Sequence, residues 1–256
     1  MILNVNMSKW GIRPRPAIVV VSLIILGWAL LCLSVFDMLL RGVAVNAGPG
    51  MGVFSNISPI RLSDILGQAY KFSICTQVSG QWGMVDFFKS YLMWGTMILA
   101  MMVPTLLSGN RHPPKSLHFI SGYILVWSIG SVFAVILQWL FHINAALDTH
   151  MVSQSSMLNA LILFGVGIFQ LSPLKQKQLT ACRHTTPDGS GWQAGLNCLA
   201  CCGPLMMVMF VFGLMNVVMM AALTVFMLME RATKPGYTLV KLSGLAFIAM
   251  GFLSLS

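Results

Sequence analysis

Apolar residues run along this chain in long unbroken blocks, at 17–40, 88–107, 118–141, 157–171, 196–230 and 238–255, with polar and basic residues gathered between them. A helix crosses a bilayer with about 20 apolar residues, so each block predicts a membrane-spanning helix. The fourth block is short and is expected to reach back through Ser153. The block 196–230 has 35 residues and as one helix would measure about 52 Å, against a hydrocarbon layer of about 30 Å. Two short crossings with a turn near Gly213 and Asn216 fit that thickness better. The expected fold is therefore all-α, a polytopic transmembrane helix bundle of about seven spans, or six if 196–230 is a single helix. It forms one integral membrane domain over 1–256, with 41–87 as its extracytoplasmic loop region.

Composition removes the soluble alternative. Hydrophobic residues make up 57% of the chain and charged residues 8%, with a mean hydropathy of +0.83, whereas soluble domains carry roughly 25% charged residues. The formal charge of +9 sits between apolar blocks, so it reads as a topology signal, with basic residues held on the cytoplasmic side. With seven crossings and a cytoplasmic N-terminus, the inner segments hold Lys9, Arg13, Arg15, Arg111, Lys115, Lys175, Lys177, Arg183, Arg231 and Lys234, and the outer ones only Arg41, Arg61, Lys71 and Lys89. The first block is too long for a signal-peptide core and no A-x-A site follows it, which predicts an uncleaved anchor. The expected location is the bacterial inner membrane, with the lipid bilayer as partner. No nucleic-acid motif is present. Neither is a P-loop, G-x-G-x-x-G, G-x-S-x-G or H-E-x-x-H pattern, so binding is expected rather than catalysis.

Sulfur is the strongest chemical signal. There are 20 methionines and six cysteines. In "VDFFKSYLMWGTMILAMMVPT", Asp86, Ser90, Met93, Met97 and Met101 follow one another at helical spacing and share a face. Thioethers select soft ions such as Cu(I); the same face also serves as flexible apolar packing. In "NCLACCGPLMMVMFVFGLMNVVMMAALTVFMLME", Cys198 and Cys202 are four apart, Cys201 lies beside them and Met206 continues the face. Pro204 removes a helical hydrogen bond, which predicts an Ala200 carbonyl free for another partner. Three thiols within five residues do not make an extracellular disulfide scaffold. They make either a soft-ligand set or small buried hydrophobes. Glu230 closes the next apolar run, as the charge balance of such a site or as a solvated pair with Arg231. His142, after Gln138 and Trp139, and His150 with Met151 read as an external metal gateway or as interfacial residues.

The segments "MWGTMILAMMVPT", "QWLFH", "GIFQLSPLK" and "NCLACCGPLMMVMFVFGLMNVVMMAALTVFMLMER" resemble a bacterial family of predicted metal-binding integral membrane proteins, over about residues 84–250. The resemblance implies metal binding. It marks Met93, Trp94, Met97, Met101, Met102 and Pro104, then Gln138, Trp139 and His142, then Gln170, Pro173 and Lys175, and finally Cys182, Cys198, Cys201, Cys202, Met206, Met215, Asn216, Met220 and Glu230. Three departures stand out. Gln178 replaces a cysteine that the family often has four residues before Cys182. Gly203 and Pro204 follow the paired cysteines where Trp and Ala are usual, and Met219 replaces a Trp.

The expected function is binding of a soft transition metal, copper as Cu(I), for transport, storage or delivery to a client metalloprotein. Cys198, Cys201 and Cys202 are the expected thiolate ligands, with Met101, Met102 or Met206 supplying thioethers and Glu230 balancing charge. Asp86, His142 and Met93 would form the outer entry, with Met97 a further metal-ligand candidate on the same thioether face. The alternatives are a non-catalytic accessory subunit of a larger membrane enzyme complex, and a membrane redox enzyme that exchanges the three thiols.

Overall fold

The apolar blocks form helices that pack against one another. The computed structural model describes residues 14–40, 49–52, 82–107, 116–144, 147, 153–184, 189–232 and 236–255. Among these the helices are α1 (Pro14–Leu40), α2 (Met84–Met97), α3 (Leu117–Ile143), α4 (Ser156–Leu171), α5 (Pro173–His184), α6 (Gly191–Met206), α7 (Met209–Phe212), α8 (Val217–Ala232) and α9 (Gly236–Leu253). Among the described residues there is no strand, only an isolated bridge between Leu147 and Ser153. Most of the 41–87 connection, His112, His150, Met151 and the loop cations Lys9, Arg13, Arg41, Arg61, Lys71, Arg111, Lys115 and Lys234 lie outside the described residues.

Four helical stretches are long and apolar enough to cross a membrane: Pro16–Asp37, Met84–Leu106, Leu117–Ile143 and Gly191–Phe212. A fifth is reached if α4 and α5, which meet at 66°, count as one bent span. The sequence predicts about seven. The turn expected inside 196–230 is present, at Gly213 with φ +100°, and Asn216 accepts from the Met219 N–H at 3.1 Å to start α8. That turn also leaves α8 only 16 residues, while Tyr237–Leu253 is apolar but short. The fourth span does not reach back to Ser153. Ser155 caps α4 by accepting from Leu158 N–H at 3.3 Å, which ends the helix there.

Two breaks shape the interior. Met84–Leu106 is continuous but changes hydrogen-bond pattern, with a π-turn over Ile98–Met102 and a 3-10 turn over Val103–Leu106. Pro104 explains the change, because it has no N–H to give to the turn before it. At the α4–α5 junction Pro173 likewise has no N–H. Phe169 O is instead taken by the Ser172 hydroxyl at 2.6 Å, and the Ser172 Oγ accepts from Lys175 N–H at 3.3 Å. Ser172 therefore ends one helix and starts the next.

Small residues let the helices close up. α3 lies along α6, and a Cβ on Gly191 would stand 1.9 Å from the Phe119 carbonyl oxygen. Gly191 and Gly195 are four apart, the small-xxx-small spacing of tightly packed apolar helices. α4 lies along α9 in the same way, through Gly167 and Gly244. The packed interior includes Met93, Met97, Met101, Met102, Met206, Met209 and Met227. Large apolar side chains also point outward, such as Ile25, Phe133, Ile168 and Phe252.

Candidate metal centre

Helical geometry places Cys198, Cys201 and Cys202 on one face of α6, since residues three and four apart lie on the same side. That face is turned inward, and all three side chains are fully or almost fully buried. The last turn of α5 brings a fourth thiol, Cys182, against them, also with 0% exposure. Cys182 interacts with Cys198 and Cys201, and so does Cys202. The four sulfurs, from two helices, therefore gather in one buried cluster. All four are free of disulfides. Among the described residues no group of three or more His, Cys, Asp or Glu side chains is set out ready to hold a metal ion.

Two polar chains converge on the cluster. The first runs through five helices. Gln170 on α4 donates to Ser243 Oγ on α9 at 3.1 Å and to Glu230 Oε1 on α8 at 2.8 Å. Lys175 Nζ on α5 donates to Glu230 Oε2 at 2.9 Å and to the Cys201 carbonyl on α6 at 3.1 Å. Lys175 and Glu230 are 0% and 1% exposed, so this is a buried ion pair whose remaining polar contacts are also filled, as such a pair requires. The second chain joins α5, α8, the 3-10 turn, α3 and α6. Arg231 donates through Nη2 to Cys182 Sγ, and through Nη1 to the Thr105 carbonyl at 3.1 Å. Tyr123 Oη lies 3.1 Å from Cys198 Sγ and 3.0 Å from the Met102 carbonyl. Thr105 Oγ1 also reaches that carbonyl at 2.6 Å, and stands 3.9 Å from Cys198 Sγ.

Several expectations from the sequence meet corrections here. Glu230 and Arg231 do not form a solvated pair: both are buried and each has its own partner. Lys175 is no loop cation but sits inside the protein beneath the thiol-bearing face. The carbonyl that receives a side-chain donor ahead of Pro204 is that of Cys201, next to Ala200. Met101, Met102 and Met206 are buried in the same core as the thiols. Cys182, Lys175, Gln170, Arg231, Tyr123 and Thr105 were not among the expected ligands or charges. The family resemblance had marked the first three. Nothing in the local sequence singles out Tyr123 or Thr105.

The proposed outer approach lies at the other end of α2 and α3. Asp86 caps α2 by accepting from Gly83 N–H at 2.9 Å. Met93 and Met97 are buried about two and three turns farther along, beside Trp94, which donates from Nε1 to Gln138 Oε1 at 3.0 Å. His142 rests against Trp82, ring centres 5.8 Å apart. The inward face from Ser90 through Met93 and Met97 to Met101 is thus a buried line of mostly thioether side chains, running from the capped end of α2 toward the end that carries the thiols.

A family model described as PpoB2, copper chaperone, matches residues 91–254. The matched stretch contains all four thiols and every charged residue of the two polar chains, and it begins after Asp86. No curated protein matches the chain, and no solved structure does.

Proposed function

The chain belongs to the copper chaperone family, and on that premise we propose that it is an integral membrane protein that holds Cu(I) on the buried thiols and delivers it to a client metalloprotein. The observation that carries this reading is the cluster of Cys182, Cys198, Cys201 and Cys202, drawn from two helices and flanked by buried cations. Thiolates are the softest ligands a protein offers, and a water-excluded thiol cage suits Cu(I) over hard divalent ions. Met93, Met97, Met101, Met102 and Met206 supply neutral thioethers along the way in, with Asp86 and His142 at the outer mouth. Glu230 acts through Lys175 rather than on the metal.

The outward apolar side chains and the four or five helices of spanning length support placement in a bilayer. We take the bilayer to be the bacterial inner membrane, with the N-terminus cytoplasmic. In the seven-span arrangement α8 and α9 also cross, as short spans, and the thiol cluster lies toward the cytoplasm. A second reading, an accessory subunit of a membrane enzyme complex, is favoured by an apolar groove of about 530 Å³ lined by Trp94, Ile98, Trp127, Leu199, Pro204 and Met207, wide enough to seat a partner's side chains. Delivery needs a client in either case.

The test is copper content after purification in mild detergent under reducing conditions. The wild-type chain is expected to retain copper. Cys198→Ser/Cys202→Ser is expected to lose it, and Cys182→Ser to lose most of it. Equal copper in wild type and the double variant removes the proposal, and a stoichiometric partner without metal favours the accessory-subunit reading.

A further inference from the structure

Cations also gather along the seam between α5 and α9. Gln170 on α4 meets Ser243 on α9 at 3.1 Å, and Thr180 on α5 meets Tyr237 at the start of α9 at 2.7 Å. The chain therefore leaves the bend at Ser172 and follows α9 in the opposite direction. Lys177 lies one turn before Thr180, and Lys241 one turn after Tyr237. Each stands on the same side of its helix as the hydroxyl it neighbours. Both lysines fall on the Ser243 side of the Thr180–Tyr237 contact, and both are exposed. Arg183, one turn beyond Thr180, closes the other side, its guanidinium 5.4 Å from the centre of the Tyr237 ring. The helices α4, α5 and α9 carry no Asp or Glu. Glu230 on α8 is buried and paired with Lys175, and among the described residues neither Lys177 nor Lys241 pairs with a carboxylate.

The surface around these charges is apolar. Leu174 on α5 and Leu242 and Leu245 on α9 all point outward, and Lys241 is the one charged residue of α9. An outward lysine on an apolar span is costly unless its ammonium reaches the headgroup layer or a counter-charge. Lys241 is about 7–8 Å along the helix axis from Gly236, close enough for its stem to reach back to that end. α5 is polar and set at 66° to α4, the disposition of a helix lying along a bilayer surface. We propose that this seam binds an anionic phospholipid. Lys177 and Lys241 hold its phosphate, Arg183 borders the headgroup, and the acyl chains run along Leu174, Leu242 and Leu245. A free phosphate shares the headgroup chemistry, but the outward leucines match only a lipid. The inference rests on the bilayer placement and goes beyond metal binding. Because α5 also carries Lys175 and Cys182, an occupied seam braces that helix against the thiols.

The experiment is native mass spectrometry of the full chain in mild detergent, without copper, titrated with phosphatidylglycerol or with phosphatidylcholine. Wild type is expected to bind phosphatidylglycerol about thirtyfold more tightly, the scale of two lysines acting on one anionic headgroup. Lys177→Gln/Lys241→Gln is expected to lose that preference to within about twofold and, since both lysines are exposed, to keep its thermal midpoint in detergent. Lys89→Gln, at the far end of α2, is expected to behave as wild type. Equal affinity of wild type for the two lipids overturns the inference. So does a preference that survives in the double variant, or one that Lys89→Gln abolishes equally. Inorganic phosphate is the last arm: displacement of phosphatidylglycerol by millimolar phosphate overturns the lipid assignment in favour of a free anion, and no displacement supports it. Alkaline carbonate extraction of membranes tests the bilayer placement by itself. A chain released by carbonate removes both readings, whereas a retained chain without lipid preference removes only this one.

Discussion

A hydroxyl carries one proton, and Tyr123 has three acceptors in reach of it, Cys198 Sγ, the Met102 carbonyl and Thr105 Oγ1. Thr105 already donates to that carbonyl, so the tyrosine proton is released to the sulfur whenever the sulfur becomes the better acceptor. A thiolate or metal-bound thiolate is such an acceptor. Replacing Tyr123 with Phe is expected to lower Cu(I) affinity about tenfold, the usual scale for an outer-shell partner of a metal ligand, and to cost about 1 kcal/mol of stability. Chelator competition and thermal unfolding measure the two effects separately. At this scale the sequence was informative where chemistry follows helix periodicity. Cys198, Cys201 and Cys202 announce a shared face by their spacing alone. Cys182 does not, because it reaches them from another helix. Arg231 was misjudged for a geometric reason: its neighbour Glu230 is adjacent in sequence, but successive residues on a helix point in different directions, so the two found separate partners.

The bend between α4 and α5 determines whether Lys175 and Cys182 reach the centre at all. It was hidden in the sequence because α5 is polar, carrying Lys175, Gln176, Lys177, Gln178 and Arg183, and its buried face, Lys175, Leu179 and Cys182, begins with a lysine that pairs with Glu230. The apolar blocks, by contrast, were legible almost to their ends, since length and hydropathy alone specify them. Their close packing was less so. The contact of α3 with α6 depends on Gly191, where an added Cβ would meet the Phe119 carbonyl oxygen at 1.9 Å. Gly191→Ala is expected to cost at least about 1–3 kcal/mol through overpacking. Gly203→Ala, on the same helix with its nearest neighbour a Leu199 side-chain carbon at 3.5 Å, is expected to be close to neutral in the same thermal melts in detergent. Because α6 carries three of the four thiols, the first variant is also expected to lose copper.

For the molecule as a whole, the four thiols are cut off from solvent, at 0–1% exposure. A bulky maleimide is therefore expected to modify Cys182, Cys198, Cys201 and Cys202 slowly in the folded chain and rapidly after denaturation, with copper slowing the reaction further; mass spectrometry of the digested protein reads each site. Fast labelling of all four in the native state would contradict the packing described here. The all-helical fold followed from the sequence; of the seven or so spans expected, four or five helical stretches are long and apolar enough to cross, because the break at Gly213 that divides one apolar block leaves its second half short. The slow labelling has a mechanical corollary. Lys175 and Cys182 ride on one helix of 12 residues joined to α4 at Ser172, so neither can withdraw far without drawing the other away. Any displacement of that helix would expose the thiols and strip a counter-ion from Glu230 in the same movement.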